Sequence, residues 1–81
     1  MFFKKLFNRK KEVVCVWLTE NVHLTVTPAV AIKGGGAYAV LQIRGEFINR
    51  TEKYYCITIR DLVRSLGISD EAMIRKLSKA F

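Results

Sequence analysis

This 81-residue sequence predicts an α+β fold, an antiparallel sheet of about four strands in a meander followed by a C-terminal two-helix hairpin. Three observations carry that expectation. Between Val13 and Ile57 the apolar residues come in strand-like runs, in places strictly alternating with polar ones. After Thr58 their period changes to about 3.6. Short stretches rich in glycine, asparagine and charge separate the runs, as turns do.

Length and composition set the frame. Eighty-one residues suit one domain, read here as an N-terminal arm over 1–11 and a single α+β domain over 12–81, with the sheet in 12–57 and the helical pair in 58–81. A chain this short buries only about 60–65% of the surface it exposes when unfolded, so its stability margin is thin. At 51% hydrophobic and 26% charged residues it supports a core and is neither disordered nor fibrous.

The arm comes first. Phe2, Phe3, Leu6 and Phe7 would share one face of a short helix, flanked by Lys4, Lys5, Arg9, Lys10 and Lys11. Such a basic amphipathic segment suits contact with a membrane surface or with phosphates. Docking of its phenylalanines on the core is the alternative, because isolated helices below about 12 residues are marginal in water.

The strands follow. Val13 to Thr19 is rich in β-branched and aromatic residues and reads as a strand covered on both faces. After a Glu20-Asn21 turn, Val22, Leu24 and Val26 alternate with His23, Thr25 and Thr27, the pattern of a strand with one wet face. Pro28 marks an edge, a bulge or a break, with Ala29 to Lys33 resuming the strand. Gly34-Gly35-Gly36 forms a hairpin turn. Ala37 to Ile48 is the longest run, with Ala37, Ala39, Leu41, Ile43 and Phe47 on one face and Tyr38, Gln42, Arg44 and Glu46 on the other. Asn49 to Lys53 reads as a polar turn, and Tyr54 to Ile57 as a last short strand.

In the helical pair, Thr58 and Asp61 fit a capping box, and Leu62, Val63 and Leu66 share a face. Gly67 stands where a C-terminal glycine belongs, and Ser69 suits the cap of the second helix, ahead of Asp70 and Glu71. Met73, Ile74, Leu77, Ala80 and Phe81 continue the apolar stripe. Leu62, Leu66, Met73 and Leu77 are expected to be buried, and Arg64, Arg75 and Lys79 exposed.

The net charge of +7 is unevenly spread. Residues 1–11 carry +5 and no acid, residues 12–48 sum to −1, and residues 49–81 carry seven bases against four acids. Such asymmetry suits an anionic partner, either nucleic acid or a membrane surface, or serves solubility alone.

Residues 59–77 resemble the helix-turn-helix unit of bacterial and phage DNA-binding regulators, whose pattern is roughly L-A-x-x-L-G-[VI]-S-x-x-T-V-x-R-x-L. Leu62, Leu66, Gly67, Ile68, Ser69, Arg75 and Leu77 match it. Glycine lets the chain leave the first helix with positive φ, Ile68 plugs the corner, and Ser69 caps the second helix. Val63 departs from the pattern where a small residue is usual, Ala72-Met73 replaces Thr-Val, and Asp70 and Glu71 place acids at the start of the second helix. The resemblance implies a DNA-binding regulator that docks on duplex DNA. Arg75 would then contact a base, and Arg60, Arg64, Lys76 and Lys79 would meet phosphates. The outward face of the second helix would hold Glu71, Ala72, Arg75, Ser78 and Lys79. A homodimer is a companion expectation, because one short helix reads few bases. An ion pair between Glu71 and Arg75, four residues apart, is the competing use of Arg75.

Other chemistries find less support. The glycine triplet, despite Lys33, lacks the G-x-x-x-x-G-K-[ST] spacing of a phosphate loop and leads into a strand. Two cysteines without a CxxC, and the lone His23, provide no zinc set, and no cofactor is expected. Cys15 and Cys56 are expected as buried free thiols rather than a disulfide. No serine or carboxylate is spaced to serve His23, so no enzyme is expected.

Trp17, Tyr38, Tyr54 and Tyr55, near Arg44, Arg50 and Lys53, suit a single-stranded nucleic-acid platform, although the element order is not that of the four-stranded RNA-recognition fold. A further alternative is an interaction or inhibitor protein, of the kind phages and mobile elements encode, that binds a protein target through a sheet edge or helical face. With no signal-peptide pattern at the start and no apolar run of about 18 residues, a cytoplasmic location is the default expectation.

Overall fold

A computed structural model describes residues 11–29 and 35–81. Four strands, β1 (Val14–Thr19), β2 (Val22–Pro28), β3 (Ala37–Arg44) and β4 (Asn49–Cys56), precede two helices, α1 (Ile59–Leu66) and α2 (Glu71–Leu77), and a closing 3₁₀ turn (Ser78–Ala80). The strands pair antiparallel in chain order β1-β2-β3-β4, the expected meander of an α+β fold.

Period-two alternation divides the sheet into two faces. Val14, Val16, Leu24, Val26, Ala37, Ala39, Leu41 and Cys56 point inward and are buried. Leu62 of α1, Leu77 of α2 and Ala80 complete this core with no exposed surface. Ile59, Leu66, Ile68, Met73 and Phe81 pack against it from the helical side, so the helices cover one face of the sheet. The Glu12 amide donates to the Lys79 carbonyl at 2.9 Å, tying the entry of β1 to the end of the chain.

Several local expectations are corrected. Val13 to Thr19 is covered on one face only: Cys15 is exposed, and Trp17 is 63% exposed. Both cysteines are free, but only Cys56 is buried. The Ala37–Ile48 run is not one strand, because β3 ends at Arg44 and a four-residue loop, Gly45 to Ile48, closes on the Gly45 amide and the Ile48 carbonyl at 2.6 Å. Phe47 therefore sits at the loop tip, 92% exposed, rather than on the inward face. Asn49 to Lys53 is strand, not turn, with Asn49 paired to Arg44 and Lys53 to Val40.

β2 stops at Pro28, its last paired residue, opposite Ala37. The resumption of a strand at Ala29 to Lys33 falls mostly on residues 30–34, outside the described residues, as does the arm over residues 1–10. Gly36 takes φ 92°, and a Cβ there would lie 2.6 Å from the Cys56 carbonyl oxygen, so the β2–β3 connection requires glycine at this position.

Candidate nucleic-acid interface

Local chemistry sets the two helices. The Thr58 hydroxyl accepts from the Asp61 amide, and the Thr58 amide donates to the Asp61 carboxylate, both at 3.3 Å, completing the expected capping box. Gly67 ends α1 in the left-handed region at φ 66°, and the Ile68 amide donates back to the Val63 carbonyl at 3.1 Å. This six-to-one bond defines a Schellman ending. The second cap differs from expectation. Asp70, not Ser69, caps α2, its carboxylate accepting from the amides of Ala72 at 2.9 Å and Met73 at 3.4 Å. Asp70 combines the N-cap bonds with a negative charge at the positive end of the helix.

The two helices and the closing turn leave Arg60, Arg64, Arg75, Lys76 and Lys79 exposed, as periodicity predicts for Arg64, Arg75 and Lys79. Among the described residues the one ion pair is Arg50–Glu52, so the five cations of the helical segment are unpaired and Glu71 does not hold Arg75. Two of the segment's carboxylates, Asp61 and Asp70, are occupied by helix-start amides. Ser78 is only half-exposed, because its hydroxyl donates to the Ile74 carbonyl at 2.7 Å, and so leaves the outward face expected for it.

Leu62 and Leu77 are buried as expected, whereas Leu66 and Met73 are only partly so. Both line an open groove of 340 Å³ beside the Gly67–Asp70 turn, shared with Leu18 of β1. Of the arm's cations, Lys11 is exposed, and Lys4, Lys5, Arg9 and Lys10 lie outside the described residues.

The outward face of the sheet forms a second surface. The register places Trp17 beside His23, His23 beside Gln42, and Tyr38 beside Tyr55. The Trp17 and His23 rings lie 4.7 Å apart at 57°, and the Tyr38 and Tyr55 rings 5.3 Å apart at 51°. The Tyr55 hydroxyl donates to the Gly35 carbonyl at 2.6 Å, fixing that ring at one end of the face. At the other end Trp17, Asn21, His23, Gln42 and Arg44 line an open depression of 250 Å³.

Tyr54 and Arg50, grouped with these aromatics by composition, point to the opposite face. There Glu52 accepts from both the Tyr54 hydroxyl and the Arg50 guanidinium. The Tyr54 bond, then that of Arg50, holds the Glu52 carboxyl below its usual range, and the same carboxylate pushes the Tyr54 phenol up. His23, Asn21 and Gln42 escaped the sequence reading as surface partners of Trp17. Alternation from Leu24 and Leu41 was the signal that could have found two of them, since it assigns His23 and Gln42 to the wet face.

Among the described residues no group of three or more His, Cys, Asp or Glu side chains converges as a metal site, and no helix is long and apolar enough to cross a membrane. Comparison with protein families, curated proteins and solved structures gives no match to this chain.

Proposed function

We propose that this chain is a non-enzymatic DNA-binding protein, a regulator by its likeness to helix-turn-helix units, that docks its C-terminal helix pair on a duplex. One observation carries the reading: Arg60, Arg64, Arg75, Lys76 and Lys79 are all exposed and unpaired, while Asp61 and Asp70 are engaged in helix caps. Unpaired cations on one short segment can replace condensed counterions along a phosphate backbone. In this docking Arg75 meets a base edge, where its fork suits guanine O6 and N7, and the other four meet phosphates. Lys11, exposed next to the Glu12–Lys79 hydrogen bond, adds a cation near this segment, and a homodimer would supply a second half-site.

Fluorescence anisotropy with a labelled duplex at 50 and 200 mM salt tests this. Three to four phosphate contacts give a log–log salt slope of about −2.7 to −3.6. Lys79→Ala should reduce the slope by about 0.9 and weaken all sequences alike. Arg75→Ala should cost about 1–3 kcal/mol at the preferred site and flatten its discrimination. Binding weaker than about 100 µM at 50 mM salt, beyond the range of ordinary non-specific DNA binding, ends the proposal. So does indifference to both substitutions.

A second reading rests on the edge of the sheet. Among the described residues β4 has a paired neighbour, β3, on one side only, leaving an eight-residue edge open to a strand from a protein target. Arg50, Glu52 and Lys53 stud this strand with charge, which disfavours self-pairing and selects a complementary partner. Such a partner would slow hydrogen exchange at the β4 amides and leave Arg75 and Lys79 without effect.

A further inference from the structure

The outward face of the sheet has chemistry of its own, separate from the helix pair on the opposite side. Its strand positions carry Trp17, His23, Tyr38, Gln42, Arg44, Lys53 and Tyr55, and not one carboxylate. Small residues, among them Cys15, Thr25, Thr27 and Thr51, fill much of the rest. Here an indole, 63% exposed, stands over an open depression whose wall includes two amide side chains and a guanidinium. The Tyr38–Tyr55 pair lies four residues further along the strands, about 13 Å at ordinary strand rise, and two to three strands across the sheet from Trp17, so the two stations are roughly 16–19 Å apart. Lys53 stands on β4 two residues from Tyr55, beside Val40, and Arg44 lies two residues beyond Gln42 on β3.

We propose that this face is a platform for single-stranded nucleic acid. Trp17 stacks on one base, the amides of Gln42 and Asn21 meet the edge of that base, and Tyr38 with Tyr55 supports a second. Lys53, beside the tyrosine pair, and Arg44, beyond Gln42 at the depression, meet the phosphates next to each base. Three arguments favour this occupant over a second copy of the chain or an apolar peptide. The strand positions of the face carry cations and no acid, so it disfavours its own copy and complements a polyanion. Its aromatics are spaced apart with polar side chains between them, unlike the contiguous apolar centre of a protein interface. Flat aromatic surfaces beside a cationic track are what unpaired bases require, and a duplex, with its bases stacked inside, does not present those faces.

Trp17 is the sole tryptophan, so its emission reports occupancy of the full chain directly. Oligothymidylate and oligouridylate of about ten nucleotides, within the usual site sizes, serve as probes and separate a DNA from an RNA preference. Both should quench Trp17 at 50 mM salt, the preferred sugar at lower concentration. In anisotropy measurements Trp17→Ala should weaken binding roughly 5- to 150-fold, the loss of one base–aromatic stack, and Trp17→Phe should recover most of it. Lys53→Ala should reduce the salt slope by about 0.7, the single-strand value for one phosphate. Duplex binding should be untouched by Trp17→Ala, and single-strand binding untouched by Arg75→Ala, so each surface can fail alone.

Thermal melts confirm that each variant folds, and Lys53→Ala, fully on the surface, keeps the test valid should Trp17→Ala unfold. Absence of quenching up to about 100 µM oligonucleotide overturns the proposal. So does single-strand affinity indifferent to both Trp17→Ala and Lys53→Ala, or light scattering that shows a dimer dissolved by Lys53→Ala.

Discussion

The inward face of the sheet is aliphatic and closed, with Leu24, Val26 and Ala37 stripped of all exposure beneath Leu62 and Leu77. The outward face, built by alternate residues of the same strands, shows Trp17, Tyr38 and Tyr55 to solvent among His23, Gln42 and Lys53. Core packing and the proposed recognition surface are thereby separated at a period of two residues. Burial of the inward set excludes water and rewards volume, at about 25 cal/mol per Å² of apolar surface. The outward aromatics leave much of that gain unused in the free protein. The helices sharpen the contrast, since their apolar stripe belongs to the inward face and their cations to solvent.

The largest expected effect tests that division directly. Leu62→Ala or Leu77→Ala, at positions with no exposure, should cost about 2–5 kcal/mol in urea denaturation. That is a large fraction of the 5–15 kcal/mol that domains generally possess. Trp17→Ala, a change of greater volume, should cost only about 0.2–1 kcal/mol, the worth of its cross-strand pairing with His23. Equal losses at Trp17 and Leu62 would show that the outward face is part of the core, and the separation would be lost.

How far the sequence disclosed this arrangement depends on the strand. β2 and β3 were legible because their inward residues alternate cleanly with polar ones. β1 misled, since Cys15 and Trp17 are outward yet apolar, and aromatic residues placed on a surface imitate burial when only hydropathy is read. β4 misled in the other direction. As an edge strand with most of its length uncovered, it shows no buried residue before Cys56, so its first half reads as a polar turn. The true turn escaped because Phe47 and Ile48, apolar residues in a solvent-exposed loop, imitate strand. On the helical side the capping box and Gly67 were readable because their geometry is local. The five cations of the proposed duplex surface were also assigned from sequence, Arg64, Arg75 and Lys79 by helical periodicity and Arg60 and Lys76 by likeness to helix-turn-helix units.

A smaller effect sharpens the account of the helix pair. Ser69 and Asp70 are adjacent cap-forming residues, and the sequence offers no means of choosing between them. In the structure Asp70 accepts the two free amides of α2. Asp70→Ala should therefore destabilise by about 1 kcal/mol, within the usual 0.5–2 range for a lost cap, and Ser69→Ala by less than about 0.5. The reverse order would return the cap to Ser69 and lengthen α2 by one residue, turning Arg75 and Lys79 about 100° around the helix relative to the cap.

The smallest perturbation uses the two cysteines as sentinels, one on each face. Cys15 points outward from β1 and is exposed, its thiol 3.8 Å from the Thr25 hydroxyl, whereas Cys56 points inward at the end of β4. The thiolate is the reactive form, and burial pushes the Cys56 thiol up, with the nearby Asp61 carboxylate adding to the effect. In native protein a disulfide reagent should thus modify Cys15 readily and Cys56 only at the rate of opening of the fold. The same shift has a sign in stability. A thiol kept neutral by the fold contributes fully below the ordinary thiol value near 9, and that contribution fades as pH rises above it, because the unfolded chain releases the proton first. Cys56→Ala should remove this alkaline component of destabilisation, and Cys15→Ala should not. Equal native labelling of the two thiols would point to a one-residue slip of β4, which would carry Cys56 to the outward face. The same slip would bring Lys53 and Tyr55 inward, dismantling the aromatic and cationic surface on that strand while leaving β1, β2 and the helices in place.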